Sequence, residues 1–126
     1  MKHPTKLLFL FVALFLPTIL SAQSGSETYA EANKINIEAD KQLNAAYDQL
    51  IKSIRADNDK DRAELLVARL RESQRAWLKY RDAQVRFVGI HANIGSASSR
   101  TFGMASYSAE LTKERIKDLT TVPNPF

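Results

Sequence analysis

Between Leu43 and Ile54 the apolar residues Leu43, Ala46, Tyr47, Leu50, Ile51 and Ile54 recur at intervals of three and four. That is the interval at which side chains return to one face of an α-helix, whereas a half-buried strand needs every second residue. Ile35 and Ala39 extend the stripe backwards, which predicts a first helix over 27–55. A second stripe, Leu66, Leu70, Trp77 and Tyr80, has Ser73 and Gln84 at core-side positions between. It predicts a helix from the turn at 56–61 to residue 88. Ala105, Ser108, Thr112, Ile116 and Leu119, with Leu111 beside them, predict a third helix over 104–120, ended by Pro123 and Pro125. Nothing of useful length alternates as a strand would, and no segment repeats. The expected fold is therefore all-α, a small antiparallel three-helix bundle.

The connections are read from their polar residues. "ADNDKD" (56–61) is turn-forming, and Asp61 with Glu64 fits a helix N-cap with a carboxylate in the first turn. "DNDKDRAELLVA" (57–68) begins like a calcium loop, with acids at its first, third and fifth positions. Its sixth position is Arg62 instead of glycine and its twelfth is Ala68 instead of glutamate, so turn and bidentate ligand are both missing. It reads as a solvated connector. "GIHANIGSASSRTFG" (89–103) is rich in Gly and Ser without a period, and reads as a loop longer than bundle closure needs.

The N-terminus carries a different pattern. Lys2 and Lys6 precede a nearly unbroken apolar run over 7–20, and small residues follow at Ser21-Ala22-Gln23. These are the three regions of a secretory signal peptide, with cleavage expected after Ala22. The run is 14 residues long, too short for a helix spanning ~30 Å of hydrocarbon. The sequence has no cysteine to carry a lipid anchor. The protein is thus expected to be periplasmic or secreted, meeting a membrane only through the signal peptide before cleavage. Residues 23–126, 104 of the 126, form the expected single domain. Cleavage removes two of the 18 Lys and Arg and leaves the 14 acids, so the net charge falls from +4 to +2. Mixed signs at +2 argue against a nucleic-acid partner.

The same chain is poor in chemistry. Without cysteine, and with His91 as the only histidine after residue 22, a His/Cys zinc site has too few ligands. "GSASS" (95–99) lies near His91, but no G-x-S-x-G elbow and no preceding strand hold a nucleophile against a base. No catalytic residue, metal ligand or cofactor motif is assigned, and the chain reads as a non-enzyme.

"RESQRAWLKYRDAQVRF" (71–87) holds the single tryptophan and four of the nine arginines. Trp77 and Tyr80 fall on the apolar stripe and are expected in the core. Arg81 and Asp82 are adjacent, so on a helix they point about 100° apart and each needs its own partner. Thr112, Glu114 and Arg115 of the third helix are available, which predicts an interhelical polar cluster. Glu72 with Arg75, and Asp82 with Arg86, have the spacing of helix-surface ion pairs.

Three stretches together carry a resemblance: "LNAAYDQLI" (43–51), "LRESQRAWLKYRDAQ" (70–84) and "AELTKERIKDL" (109–119). They resemble the LprI-type lysozyme inhibitors, a family of small exported bacterial domains. The matching positions are Gln74, Trp77, Tyr80, Arg81 and Asp82 in one element and Leu111, Thr112, Glu114 and Arg115 in the other. The resemblance implies a binder that blocks a lysozyme. Many members of this family have a cysteine after the Arg-Asp pair and another before the last helix; Val85 and Tyr107 stand there in this chain. The missing disulfide predicts a less restrained 89–103 loop. A lysozyme cleft presents two acids about the scissile bond. The loop residues His91, Asn93, Ser96, Ser98, Ser99 and Arg100 are expected to supply donors, with Arg100 able to bind a carboxylate through two hydrogen bonds. The alternative is a non-inhibitory envelope module that binds a protein partner or a cell-wall fragment.

Export has its own test. Mass spectrometry of envelope protein from the native host should show a chain beginning at Gln23; an intact mass that retains residues 1–22 excludes cleavage.

Overall fold

The computed structural model describes residues 19–92 and 95–122, with side chains from residue 28 onward. The leader expected over 1–22 therefore lies almost wholly outside the described residues. Three helices account for the rest: α1 (Ile19–Asp57), α2 (Lys60–His91) and α3 (Ala97–Thr120). The all-α bundle is as expected. Among the described residues no helix is long and apolar enough to cross a membrane.

The side-chain pairs give the topology. Arg55 of α1 meets Glu64 of α2 and Asp40 meets Arg81, so one number rises as the other falls and the helices are antiparallel. Gln74 meets Arg115 and Gln84 meets Tyr107, which makes α2 and α3 antiparallel as well. α1 and α3 consequently run in the same direction, and they share the most extensive contact of the three pairs. Small side chains permit this. Ala32 on α1 and Ala105 and Ala109 on α3 are buried, and an alanine lets two backbones approach where a larger residue would hold them apart. Leu43, Val67 and Thr112 are the largest fully buried side chains, and Leu119 closes the core at the end of α3.

Both connections are shorter than the sequence suggested. Only Asn58 and Asp59 separate α1 from α2. Asn58 Nδ2 donates to the Ile54 carbonyl at 2.8 Å, and Asp59 Oδ1 accepts from the Arg62 backbone N–H at 3.0 Å. The N-cap is thus Asp59, not Asp61; Asp61 instead places a negative charge in the first turn, where the helix dipole favours it. Much of the expected 89–103 loop is helical: α2 continues to His91, and α3 begins at Ala97 under a Ser96 cap. Glycine and serine are weak helix formers, but packing against a neighbour outweighs their propensity. Gly89 is buried, and a Cβ built there would lie 2.5 Å from Met104 Sδ. Glycine at that position lets α2 and α3 close on each other, which is why a residue that reads as a breaker sits inside a helix.

The buried positions Ala63, Val67, Gln74 and Gly89 define the inward face of α2. Tyr80 is not on it. It is 54% exposed, contrary to the core role expected, because Arg81 occupies the inward position and a neighbouring residue points about 100° away. Ser73, also expected on the core side, is exposed for the same geometric reason. Trp77 lies at the edge of the core, half-buried.

Gly89→Val should destabilise the bundle by about 1–3 kcal/mol, the usual range for overpacking. Adding Met104→Ala should recover part of that loss. Urea unfolding of the single and double variants measures the coupling, and strict additivity would show that the two residues do not share the contact.

Candidate functional site

Arg81 occupies a position where most helices have an apolar residue, and its side chain is only 12% exposed. A guanidinium so placed needs partners for its five donors. They come from all three helices. Its Nη1 donates to Asp40 Oδ1 of α1 at 2.6 Å and to Thr112 Oγ1 of α3 at 3.2 Å. Its Nε lies 3.4 Å from Asp82 Oδ1 on its own helix. Thr112 Oγ1, fully buried, donates in turn to the Ser108 carbonyl at 2.8 Å.

A second guanidinium lies one turn along. Arg115 of α3 donates from Nε to Gln74 Oε1 and from Nη2 to Ser73 Oγ, both at 3.0 Å. The Trp77 ring lies near both guanidiniums in space. Arg81 Cζ is 5.2 Å from the ring centre and Arg115 Cζ is 6.0 Å away, within cation–π range. Gln74, Trp77, Arg81, Thr112 and Arg115 thus form one network, and among the described residues no buried side-chain nitrogen or oxygen lacks a partner.

The expected interhelical cluster is present, with two corrections. Arg81 and Asp82 do touch, because the long arginine side chain folds back towards its neighbour. The stronger contact is Asp40, which the sequence reading passed over. Its signal was an acid three residues before Leu43 on the apolar stripe of α1, a position where a charge needs a reason. The remaining signature residues stand apart. Tyr80 and Glu114 are exposed, Asp82 is exposed and pairs with Arg81, and Leu111 is half-buried. The surface pairs expected at Glu72/Arg75 and Asp82/Arg86 are also replaced: Glu72 pairs with Arg69 at 3.0 Å.

The network borders a groove of about 510 Å³ between the three helices. Tyr29, Asn33, Asn36, Asp82 and Thr101 line it, with Asp40 and Arg81 among the lining residues.

At the α2–α3 end, the residues expected to contact a partner have settled roles. His91 stacks on Phe87 with ring centres 5.5 Å apart. Ser96 Oγ accepts from the Ser99 backbone N–H at 3.1 Å and donates to Ser99 Oγ at 2.8 Å, so both serines serve the cap. Ser98 is half-buried, Arg100 is exposed in the first turn of α3, and Asn93 lies outside the described residues. Beside Val85, Gln84 Nε2 donates to Tyr107 Oη at 3.4 Å across the same helix pair, and Gly89 packs on Met104.

Asp40→Ala should cost about 1–3 kcal/mol, between the limits for exposed and buried ion pairs, since Arg81 is buried and Asp40 half-exposed. Asp82→Ala should cost less than about 1 kcal/mol. Chemical denaturation ranks the two, and the opposite order would remove Asp40 as the main counter-charge.

No curated protein and no solved structure matches the chain significantly. The family described as Lysozyme inhibitor LprI matches residues 21–119, which take in all three helices and every residue of the Arg81 and Arg115 network. With more than half its length matched, the chain belongs to the LprI lysozyme-inhibitor family.

Proposed function

We propose that the protein is an exported bacterial binder that inhibits a lysozyme by occluding its cleft, and that it works in the periplasm or outside the cell after loss of residues 1–22. Family membership over residues 21–119 carries this reading. The site chemistry is compatible with it. The residues of this family's signature that are buried hold the helices to one another, and they leave the ends and outer faces of the bundle to meet a partner. No group of acids and bases is arranged for catalysis in this reading, and the protein acts as a ligand, not as an enzyme.

The end of the bundle around 89–103 supplies one contact. Arg100 is exposed in the first turn of α3, and a guanidinium can bind a carboxylate through two hydrogen bonds. A glycosidase cleft offers two carboxyl groups for such a donor. His91 and Ser98 lie at the same end, together with Ser96, Ser99 and, in sequence, Asn93.

A second reading is favoured by the groove beside Arg81. Its amides, carboxylate, hydroxyl and tyrosine ring suit a hydroxyl-rich or amide-rich ligand such as a cell-wall fragment, bound by an envelope module without inhibitory action.

A cell-wall lysis assay with several lysozyme types separates the two. Wild type should slow lysis by at least one type, and folded Arg100→Ala should weaken that inhibition about tenfold, the scale of losing one charge-assisted pair. Equal inhibition by the variant removes Arg100 from the contact. No inhibition by wild type replaces the inhibitor with the binding module.

A further inference from the structure

α2 has an outer face that neither neighbouring helix covers. Ala76, Tyr80, Ala83, Phe87 and Ile90 follow at steps of four, three, four and three, which gathers them into a stripe about 80° wide. All five are exposed, and Phe87 and Ile90 are 60% and 82% exposed. From residue 76 to 90 the stripe runs about 21 Å along the helix. This is the pattern of a packed helix face, found on the side that faces solvent.

One flank of it is rich in cations, Arg75, Lys79 and Arg86, with Arg71 further round towards α1 and the exposed acids Glu72 and Asp82 among them. Arg71, Arg75, Lys79 and Arg86 are exposed, and none makes an ion pair among the described residues. Arg71, Arg75 and Lys79 are spaced four apart, so like charges repel along the helix. α2 carries eight Lys and Arg against four Asp and Glu, a local +4 that equals the net charge of the whole chain. The flank on the other side of the stripe carries no such cations. Trp77 and Gln84 lie there, turned towards α3.

We propose that this face of α2 is the principal docking surface for the lysozyme, with the apolar stripe seated in its cleft and the cationic flank against carboxylates on one wall. The proposal rests on the inhibitor reading above and names the surface that carries it. An amphipathic helix laid in a groove is anchored by residues at this spacing, and a glycosidase cleft supplies the carboxylates. The one-sided charge decides between occupants. A second copy docking antiparallel would set cationic flank against cationic flank, and one docking parallel would set it against an uncharged flank. A flat anionic membrane would meet both flanks alike and favours cations on both. A partner with one acidic wall matches the asymmetry. The stripe also ends at Ile90, beside His91, so it is continuous with the end of the bundle where Arg100 lies.

The test uses the purified protein and two double variants, Phe87→Ser/Ile90→Ser and Arg75→Glu/Lys79→Glu. All four positions are exposed, so thermal unfolding followed by circular dichroism should be unchanged. Each variant should lose inhibition at least about tenfold against a lysozyme that wild type inhibits, the scale of interface anchors. Wild-type inhibition should weaken as salt rises. If both folded variants inhibit as well as wild type, the docking face is elsewhere while the inhibitor reading stands. If wild type inhibits no lysozyme, the proposal falls with that reading. A wild-type dimer in sedimentation that Phe87→Ser/Ile90→Ser dissociates would assign the face to a second copy and overturn the proposal. Binding to phosphatidylglycerol vesicles that is lost in both variants would assign it to lipid, with the same result.

Discussion

The contact between Arg81 and Asp40 fixes how the three helices meet. A guanidinium on the inward face of α2 cannot be left alone, because an unpartnered buried charge is strongly destabilising. Its two strongest partners belong to different helices, Asp40 of α1 and Thr112 of α3. Rotating α2 by one residue would turn Arg81 to solvent and bring Tyr80 or Asp82 inward, breaking both contacts at once. Arg81 therefore sets the rotation of α2 in a core too small to set it by shape.

That core is thin. Four of its seven buried apolar residues are alanines, and alanine contributes close approach more than buried area. α1 and α3 pack along these alanines, and Gly89 lets α3 approach α2 near Met104. Where side chains are small, several helix rotations bury similar area. Directional bonds then decide among them: Arg81 to Asp40 and Thr112, Arg115 to Gln74 and Ser73, Gln84 to Tyr107. The Trp77 ring lies within cation–π range of both guanidiniums.

This arrangement separates what holds the bundle from what it presents. The bonded cations Arg81 and Arg115 face inward or along the α2–α3 seam. Lys79 and Arg86, which make no ion pair among the described residues, are on the outer side of α2 near Tyr80, Phe87 and Ile90, while Arg71 and Arg75 lie nearer the groove towards α1. A single stretch of sequence therefore does two jobs by alternation around one helix. In "RESQRAWLKYRDAQVRF" the inward half ties three helices and the outward half, with Tyr80 and Phe87, is exposed.

The amino-acid sequence alone determined the fold class, the number of helices and their order. Each depends on local periodicity, and the stripes through Leu43 to Ile54, Leu66 to Trp77 and Ala105 to Leu119 are long enough to be unambiguous. It also pointed to Arg81, Thr112 and Arg115 as an interhelical polar cluster, and the family resemblance added Gln74. What it did not contain was the identity of their partners. Asp40 is 41 residues from Arg81, and only the docking of α1 against α2 brings them to 2.6 Å. The inward position of Arg81 and the outward one of Tyr80 were likewise settled by tertiary contact, since neighbours on a stripe differ by a rotation that periodicity resolves poorly. Residues 89–103 read as a loop because glycine and serine disfavour helix in isolation. The bundle made most of that segment helical by placing Gly89 against Met104 and giving Ser96 the cap, an outcome of packing between α2 and α3 that no local propensity encodes.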